Sequence, residues 1–300
     1  MHWQTSRFLI DLAKPNVMGI VNVTPDSFSD GGRFATRGGA MSHCENLLKD
    51  GADILDIGGE STRPGAPTVP VEEELSRVLP VVRHAVSLGV PVSVDTYKPA
   101  VMRAVLDLGA DIINDIWALR WAGDASGLTG EQVVAAHPSC GVCLMHMHRE
   151  PQIMQLATMQ GDVLRQVTAF LLQSAKHLAD LGVLRQRICL DPGIGFGKTV
   201  QQNFALLARQ RELVALGYPL LAGWSRKSSL AAVTQTSLAA VASMDLQERL
   251  VPSVTAALLA VQNGASIVRV HDVKQTVQAL KVLAATQAQS QYPGTAFGAP

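Results

Sequence analysis

Short apolar runs along this chain end on polar side chains: Asn22, Asp56, Asp95, Asn114 with Asp115, His146, Asp191, and Arg269 with His271. One more run leads into Ser225-Arg226-Lys227-Ser228. Carboxylates and amides beside fixed cations suit a ligand that is part heterocycle and part anion. A carboxylate accepts from adjacent ring and amino N–H groups, while guanidinium and ammonium groups grip phosphate or carboxylate. Each Asp or Asn alone reads equally well as a cap for the helix behind it. Arg and Lys make poor N-caps, so the set as a whole points to one small-molecule site.

Two stretches are too long and too rich in turn formers and hydroxyls to be plain connectors: Thr24–Gly32, which contains Phe28, and Glu60–Pro67. Both read as clamps over a ligand. Asp191–Thr199 resembles a phosphate loop, but Pro192 stands where a Walker glycine is required and has no N–H to offer. Its glycines fit a ligand approaching the backbone below Asp191. His146 and His148 alternate as zinc ligands sometimes do, but no third ligand lies nearby in the sequence. Cys140 and Cys143 form a C-x-x-C that precedes a strand and has no second pair, so these two, with Cys44 and Cys189, read as buried reduced thiols of a cytoplasmic protein.

The elements that would position these residues follow a repeated phrase: a helical stretch, a glycine, then a β-branched run. It occurs around Gly51, Gly89, Gly109, Gly182, Gly217 and Gly264, where glycine suits the left-handed turn past a helix end. With residues 17–22 and 142–147 there are eight candidate strands, separated by helical segments such as 72–87, 100–108, 161–181 and 202–216. The runs lack polar alternation, as strands buried on both faces do. Eight βα units predict an α/β, (β/α)8 TIM barrel in a single domain over residues 1–286, with a polar tail over 287–300. A doubly wound sheet would show G-x-G-x-x-G after an early strand, and none is present. Lys plus Arg equals Asp plus Glu at 25 each, and aromatics are 5%, so nucleic acid is not an expected partner. The N-terminus has no signal-peptide core, and no apolar run reaches the roughly 18 residues of a membrane span.

In order, the motifs Val21–Gly32, Asp56–Gly65, Ser93–Thr96, Ile113–Ile116, Leu144–Met147, Asp191–Lys198, Ser225–Ser228 and Arg269–Asp272 resemble those of the dihydropteroate synthases, over about residues 17–285. The resemblance implies a folate-biosynthesis transferase that joins 6-hydroxymethyl-7,8-dihydropterin pyrophosphate to p-aminobenzoate. It implies a pterin seat of Asp95, Asn114, Ile116, Met145, Asp191, Lys227 and Arg269. The pyrophosphate would be held by Asn22, Thr62, Arg63, Arg269, Val270 and His271, with Mg2+ on Asn22. The p-aminobenzoate would lie among Phe28, Pro64, Phe196 and Ser228. Arg63, Lys227, Arg269 and His271 carry the catalytic roles it implies, in a homodimer of a family that sulfonamides target. Three features depart from the family pattern: His148-Arg149-Glu150 replaces a common Gln-Gly, Ala231 a common Gly, and Trp117 and Trp121 make a bulky loop. A methyltetrahydrofolate-binding methyltransferase barrel would keep the carboxylates but has no use for Thr62-Arg63-Pro64 or Arg269-Val270-His271. A non-catalytic pterin-binding paralogue would differ only in turnover.

Overall fold

The computed structural model of the protein describes residues 1–24, 37–62, 65–122, 127–150, 153–154, 158–235, 245 and 247–289. The chain opens with an antiparallel hairpin of β1 (His2–Gln4) and β2 (Leu9–Asp11). Eight parallel strands follow: β3 (Asn16–Asn22), β4 (Ile54–Gly58), β5 (Val92–Asp95), β6 (Ile112–Asp115), β7 (Gly141–Met145), β8 (Ile188–Asp191), β9 (Leu221–Ala222) and β10 (Ile267–Val270). They pair in the order β8-β7-β6-β5-β4-β3-β10-β9. A bridge between Leu190 and Leu220, with Leu190 N donating to Pro219 O at 2.9 Å, closes the ring. The result is the expected eight-stranded parallel barrel.

Helices cover the outside: α1 (Arg37–Lys49), α2 (Val71–Ser87), α3 (Pro99–Asp107), α4 (Gly130–Ala136), α5 (Val163–Asp180), α6 (Val200–Ala208), α7 (Gln210–Val214), α8 (Ser228–Thr234), α9 (Leu250–Gln262) and α10 (Val273–Gln289). The helix expected over 202–216 is two, parted at Arg209 (φ −99°, ψ 15°). The last helix runs three residues past the boundary at 286, and the rest of the expected tail, from 290, lies outside the described residues. The six repeat glycines all have positive φ, between +74° and +100°. They end each helix and turn the chain inward to the next strand. Behind two of them an aspartate ties neighbouring strands: Asp53 accepts from Val17 N at 2.8 Å and Asp111 from Val92 N at 2.9 Å.

Side chains alternate across each strand. Residues of one parity, such as Val17, Val21, Leu55, Ile57, Val94, Ile113, Leu144 and Val268, pack outward against the helices. Those of the other parity fill the barrel. Its lower layer is apolar: Met18, Ile54, Ile112, Cys143, Cys189, Leu221 and Ile267. Trp3 and Ile10 of the hairpin stop its lower end, and Trp3 Nε1 donates to Arg187 O at 2.9 Å. Each such aliphatic side chain contributes roughly 1.5–3 kcal/mol by its burial. Strands of three residues give too little alternation to be read, so this hairpin was not expected from the sequence. With the lower end stopped, a ligand can enter the barrel from the opposite mouth alone.

Candidate functional site

Polar side chains replace apolar ones towards the C-terminal ends of the strands, at the same inward parity. Register sets them side by side: Asp56 lies opposite Ser93, Gly58 between Asn22 and Asp95, and Asp95 opposite Asn114. Above them opens a cavity of about 520 Å³. Among its lining residues are Asn22, Thr62, Asp95, Asn114, Ile116, Met145, Asp191, Phe196, Lys227, Ser228, Arg269 and His271. Twelve positions singled out in the sequence thus converge on one space. Phe28, Arg63 and Pro64 lie outside the described residues.

Val270 does not face the cavity. Its side chain is buried in the outer core, so only its main chain is placed to serve a ligand. The same parity removes two strand-end residues from the rim. Asp115 is wholly buried and accepts from Trp117 N at 2.8 Å and Leu119 N at 2.7 Å, shaping the turn after β6. His146 packs edge-on against Phe170, 5.0 Å between centroids, and burial pushes its pKa down to about 2. The capping and packing readings hold for these two.

At the centre, Arg269 spans two carboxylates. Its Nε donates to Asp56 Oδ2 at 2.5 Å and its Nη2 to Asp95 Oδ2 at 2.7 Å. Asn114 Nδ2 donates to the same Asp56 oxygen at 3.3 Å. Burial pushes Asp95 up to about 7; Arg269 opposes that shift, while Asp56 and Asp115 add to it. Burial also raises Asp191, against Gly193 N, which donates to it at 2.7 Å, and Lys227. Arg269 itself stays firmly cationic: burial disfavours its charge, but Asp56 and Asp95 outweigh that. Asp56 appeared among the strand ends but not among the expected ligands. Its inward parity was the signal that it belongs to the site.

One wall of the cavity is apolar, formed by Ile116, Met145, Met154 and Phe196, with Lys227 Nζ 4.3 Å above the Phe196 ring. The glycines after Asp191 serve the chain's own packing as well as the cavity. A Cβ at Gly193 would lie 1.9 Å from His146 O, and one at Gly197 2.7 Å from His148 O, whereas Gly195 lines the cavity. Buried Lys198 holds this turn, donating to Gly193 O at 2.8 Å, Phe196 O at 3.2 Å and His146 O at 3.3 Å. Burial lowers its pKa to about 7, with Asp191 opposing. Pro192 had argued against a phosphate loop, but nothing in the sequence points to this bracing role for Lys198.

The opposite wall is cationic. Arg226, at φ +60°, holds Asp272 through Nη2 at 2.9 Å, and its carbonyl accepts from Arg249 Nη1 at 3.1 Å. Left-handed backbone at a non-glycine residue costs about 1 kcal/mol or more and concentrates at functional sites. Ser225 Oγ accepts from His271 N at 3.1 Å and lies 2.9 Å from His271 Nδ1. The loop carrying Thr62 is tied down from below, where Lys98 Nζ binds Glu60, Glu74 at 2.5 Å and Val69 O at 2.6 Å. Trp117 and Trp121 lie with Tyr97 beside a second cavity of about 360 Å³ that shares Thr62 and Ile116 with the first. The bulky loop therefore borders the main cavity without lining it.

Residues 18–271 match the model of the family described as pterin binding enzyme. The chain is 48% identical over 285 residues to the dihydropteroate synthase of Neisseria meningitidis serogroup B, covering 93% of this chain and 95% of that one. It is 47% identical to Burkholderia cenocepacia dihydropteroate synthase, solved with 7,8-dihydropteroate (TM-score 0.82, 96% and 97% covered). Against the Yersinia pestis dihydropteroate synthase, solved with a sulfonamide drug, identity is 40% and the TM-score 0.87, with 96% and 100% covered.

Proposed function

Because the chain belongs to the pterin-binding enzyme family, with dihydropteroate synthases as its relatives, we infer that both substrates of that reaction meet in the barrel mouth. The chain is a transferase of folate biosynthesis: it condenses 6-hydroxymethyl-7,8-dihydropterin pyrophosphate with p-aminobenzoate to give 7,8-dihydropteroate and pyrophosphate. The observation that carries the site is that one cavity joins a carboxylate and amide floor to a cationic wall.

Asp95, Asn114 and Asp191 hold the amino-pyrimidine edge of the pterin, since carboxylates accept from its paired N–H donors. Ile116 and Met145 pack on the ring, Lys227 donates to its acceptors, and Arg269 stacks on its face. Asn22, Thr62, Arg63, Arg269, His271 and the main chain at Val270 take the pyrophosphate. p-Aminobenzoate lies among Phe28, Pro64 and Phe196, its carboxylate at Ser228, and sulfonamides compete for the same seat.

No cluster of three His, Cys, Asp or Glu side chains that could hold a metal occurs among the described residues. That fits a hard cation ligated mainly by phosphate oxygens and water. The Asn22 amide oxygen, on the cavity wall, is a hard donor of the right kind. Mg2+ held there would neutralise charge on the pyrophosphate.

The reaction begins as the exocyclic CH2–O bond breaks and the electron pair leaves with pyrophosphate. The dihydropterin ring shares the positive charge on CH2. Arg63, Arg269 and His271 stabilise the leaving anion. A Ser225 proton donated to His271 Nδ1 leaves the ring's own proton on Nε2, able to donate. The amine lone pair then forms the C–N bond, and the nitrogen releases its proton. No protein nucleophile takes part.

The chain also acts as a homodimer in the cytoplasm. Val251 and Leu259 of α9 and Val282 of α10 leave large apolar side chains exposed. The four cysteines are buried free thiols, and no described helix is long and apolar enough to cross a membrane. The function is tested by following pyrophosphate release with Mg2+ present: dihydropteroate must form in equal amount and only when p-aminobenzoate is added. Release without that dependence overturns the assignment.

A further inference from the structure

We infer that Arg269 is a latch on the pterin seat which the pyrophosphate arm of the substrate draws off, so that the arm itself selects pyrophosphorylated pterins. This rests on the substrate placement proposed above. The Asp95 oxygen that accepts from Arg269 Nη2, at 2.7 Å, belongs to the carboxylate assigned to the pterin edge. A ligand whose paired N–H donors take both Asp95 oxygens competes with that guanidinium for Oδ2.

The other end of the guanidinium is fixed more deeply. Asp56 is completely buried, does not line the cavity, and grips Nε at 2.5 Å. The same Asp56 oxygen accepts from Asn114, while its Oδ1 has no hydrogen-bond partner among the described residues. Asp56 is therefore the pivot: Nε stays, and the Nη2 end swings from Asp95 towards the anion held beside His271 and Asn22. A pterin that carries an anion replaces the contact it breaks. A pterin without one leaves a half-buried cation short of one of its two partners and competes against it for Asp95. Losing one charge-assisted hydrogen bond corresponds to about tenfold to a hundredfold in affinity. Because linkage is reciprocal, free pyrophosphate must tighten a pterin that lacks the arm by the same factor.

The experiment titrates the full chain calorimetrically with 6-hydroxymethylpterin, with and without saturating inorganic pyrophosphate and Mg2+. Pyrophosphate is expected to tighten pterin binding by about tenfold or more; no change, or weakening, overturns the latch. Two variants separate the latch from other routes of coupling: Arg269→Met, and Asp56→Asn combined with Arg269→Met, which preserves the local charge balance if the single variant fails to fold. In a folded variant pyrophosphate should no longer tighten 6-hydroxymethylpterin, whatever ring contact the substitution also removes, and turnover is lost. Tightening by pyrophosphate that persists without Arg269 would overturn the latch. Asp191→Asn keeps the two readings apart. If it leaves pterin affinity unchanged, the pterin placement fails and the latch with it. If it weakens pterin binding while pyrophosphate has no effect, the latch alone fails.

Discussion

The floor proposed for the pterin and the wall proposed for the amine sit in one cavity but are held in different ways. Asp95, Asn114, Met145 and Asp191 lie on β5 to β8, each fixed by two neighbouring strands. Phe196 and Ser228 lie beyond the strand ends, positioned by side chains that tie down the main chain: buried Lys198 under the Phe196 turn, and half-buried Asp272 with buried Ser253 around Arg226. A floor built into strands has its side-chain positions set by the ladder, although burial opposes the charge of Asp95 and Asp191. A wall built on turns takes its shape from whichever residues tie down the main chain. Changes to the floor should therefore act through the ligand contact, and changes to the wall through geometry.

The sharpest way to break the floor is Asp191→Asn. It removes a buried carboxylate acceptor and places an amide donor against ligand donors, so kcat/KM for the pterin substrate should fall on the order of a hundredfold. Thermal stability should not fall, because burial opposes the charge of Asp191. A loss confined to the p-aminobenzoate KM would erase the distinction between the two regions.

Lys198→Met tests the wall. Three carbonyls lose their donor, so stability should drop by about 1–3 kcal/mol. Steady-state assays should show the KM for p-aminobenzoate rising about tenfold, as for one lost charged hydrogen bond, with the pterin KM nearly unchanged.

The smallest effect sharpens the electrostatics of the floor. Asp95 has a folded pKa of about 7 against an ordinary 3.8. Between these values the folded chain binds more protons than the unfolded one, so this group's contribution to stability falls as pH rises from about 4 to 7. On the proposed placement, pterin binding uses the ionised carboxylate and should improve over the upper part of that range. Denaturant midpoints and kcat/KM measured from pH 5 to 8 should therefore run in opposite directions. Asp95→Asn should flatten both curves, leaving the Asp115 contribution to stability, since burial raises that carboxyl to about 7 as well.

Much of the barrel was legible because its signals are local. A β-branched run behind a glycine forms a strand wherever it occurs, and the six repeat glycines take the left-handed turns that the pattern requires. Polar residues at strand ends marked the mouth, and the expected ligand residues that fall within the described chain line one cavity, apart from Val270. Adjacent polar residues could not be sorted without strand parity: Asn114 faces in and Asp115 out, Met145 in and His146 out. A shift of one residue reverses every side chain of a strand, and the boundary of an apolar run is not that sharp in sequence.

By itself, then, the sequence determined the eight βα units and which residue types reach the strand ends, because hydrophobic period and turn chemistry act over a few residues. Only the tertiary structure decided their partners. Arg269 meets Asp56 and Asp95 across separations of 213 and 174 residues, and Trp3 meets Arg187 across 184. Those meetings follow from closing the ring of strands, which places β10 beside β3 and sends its side chains across the barrel to β4 and β5. Closure is a property of the whole sheet, and no local stretch of sequence encodes it.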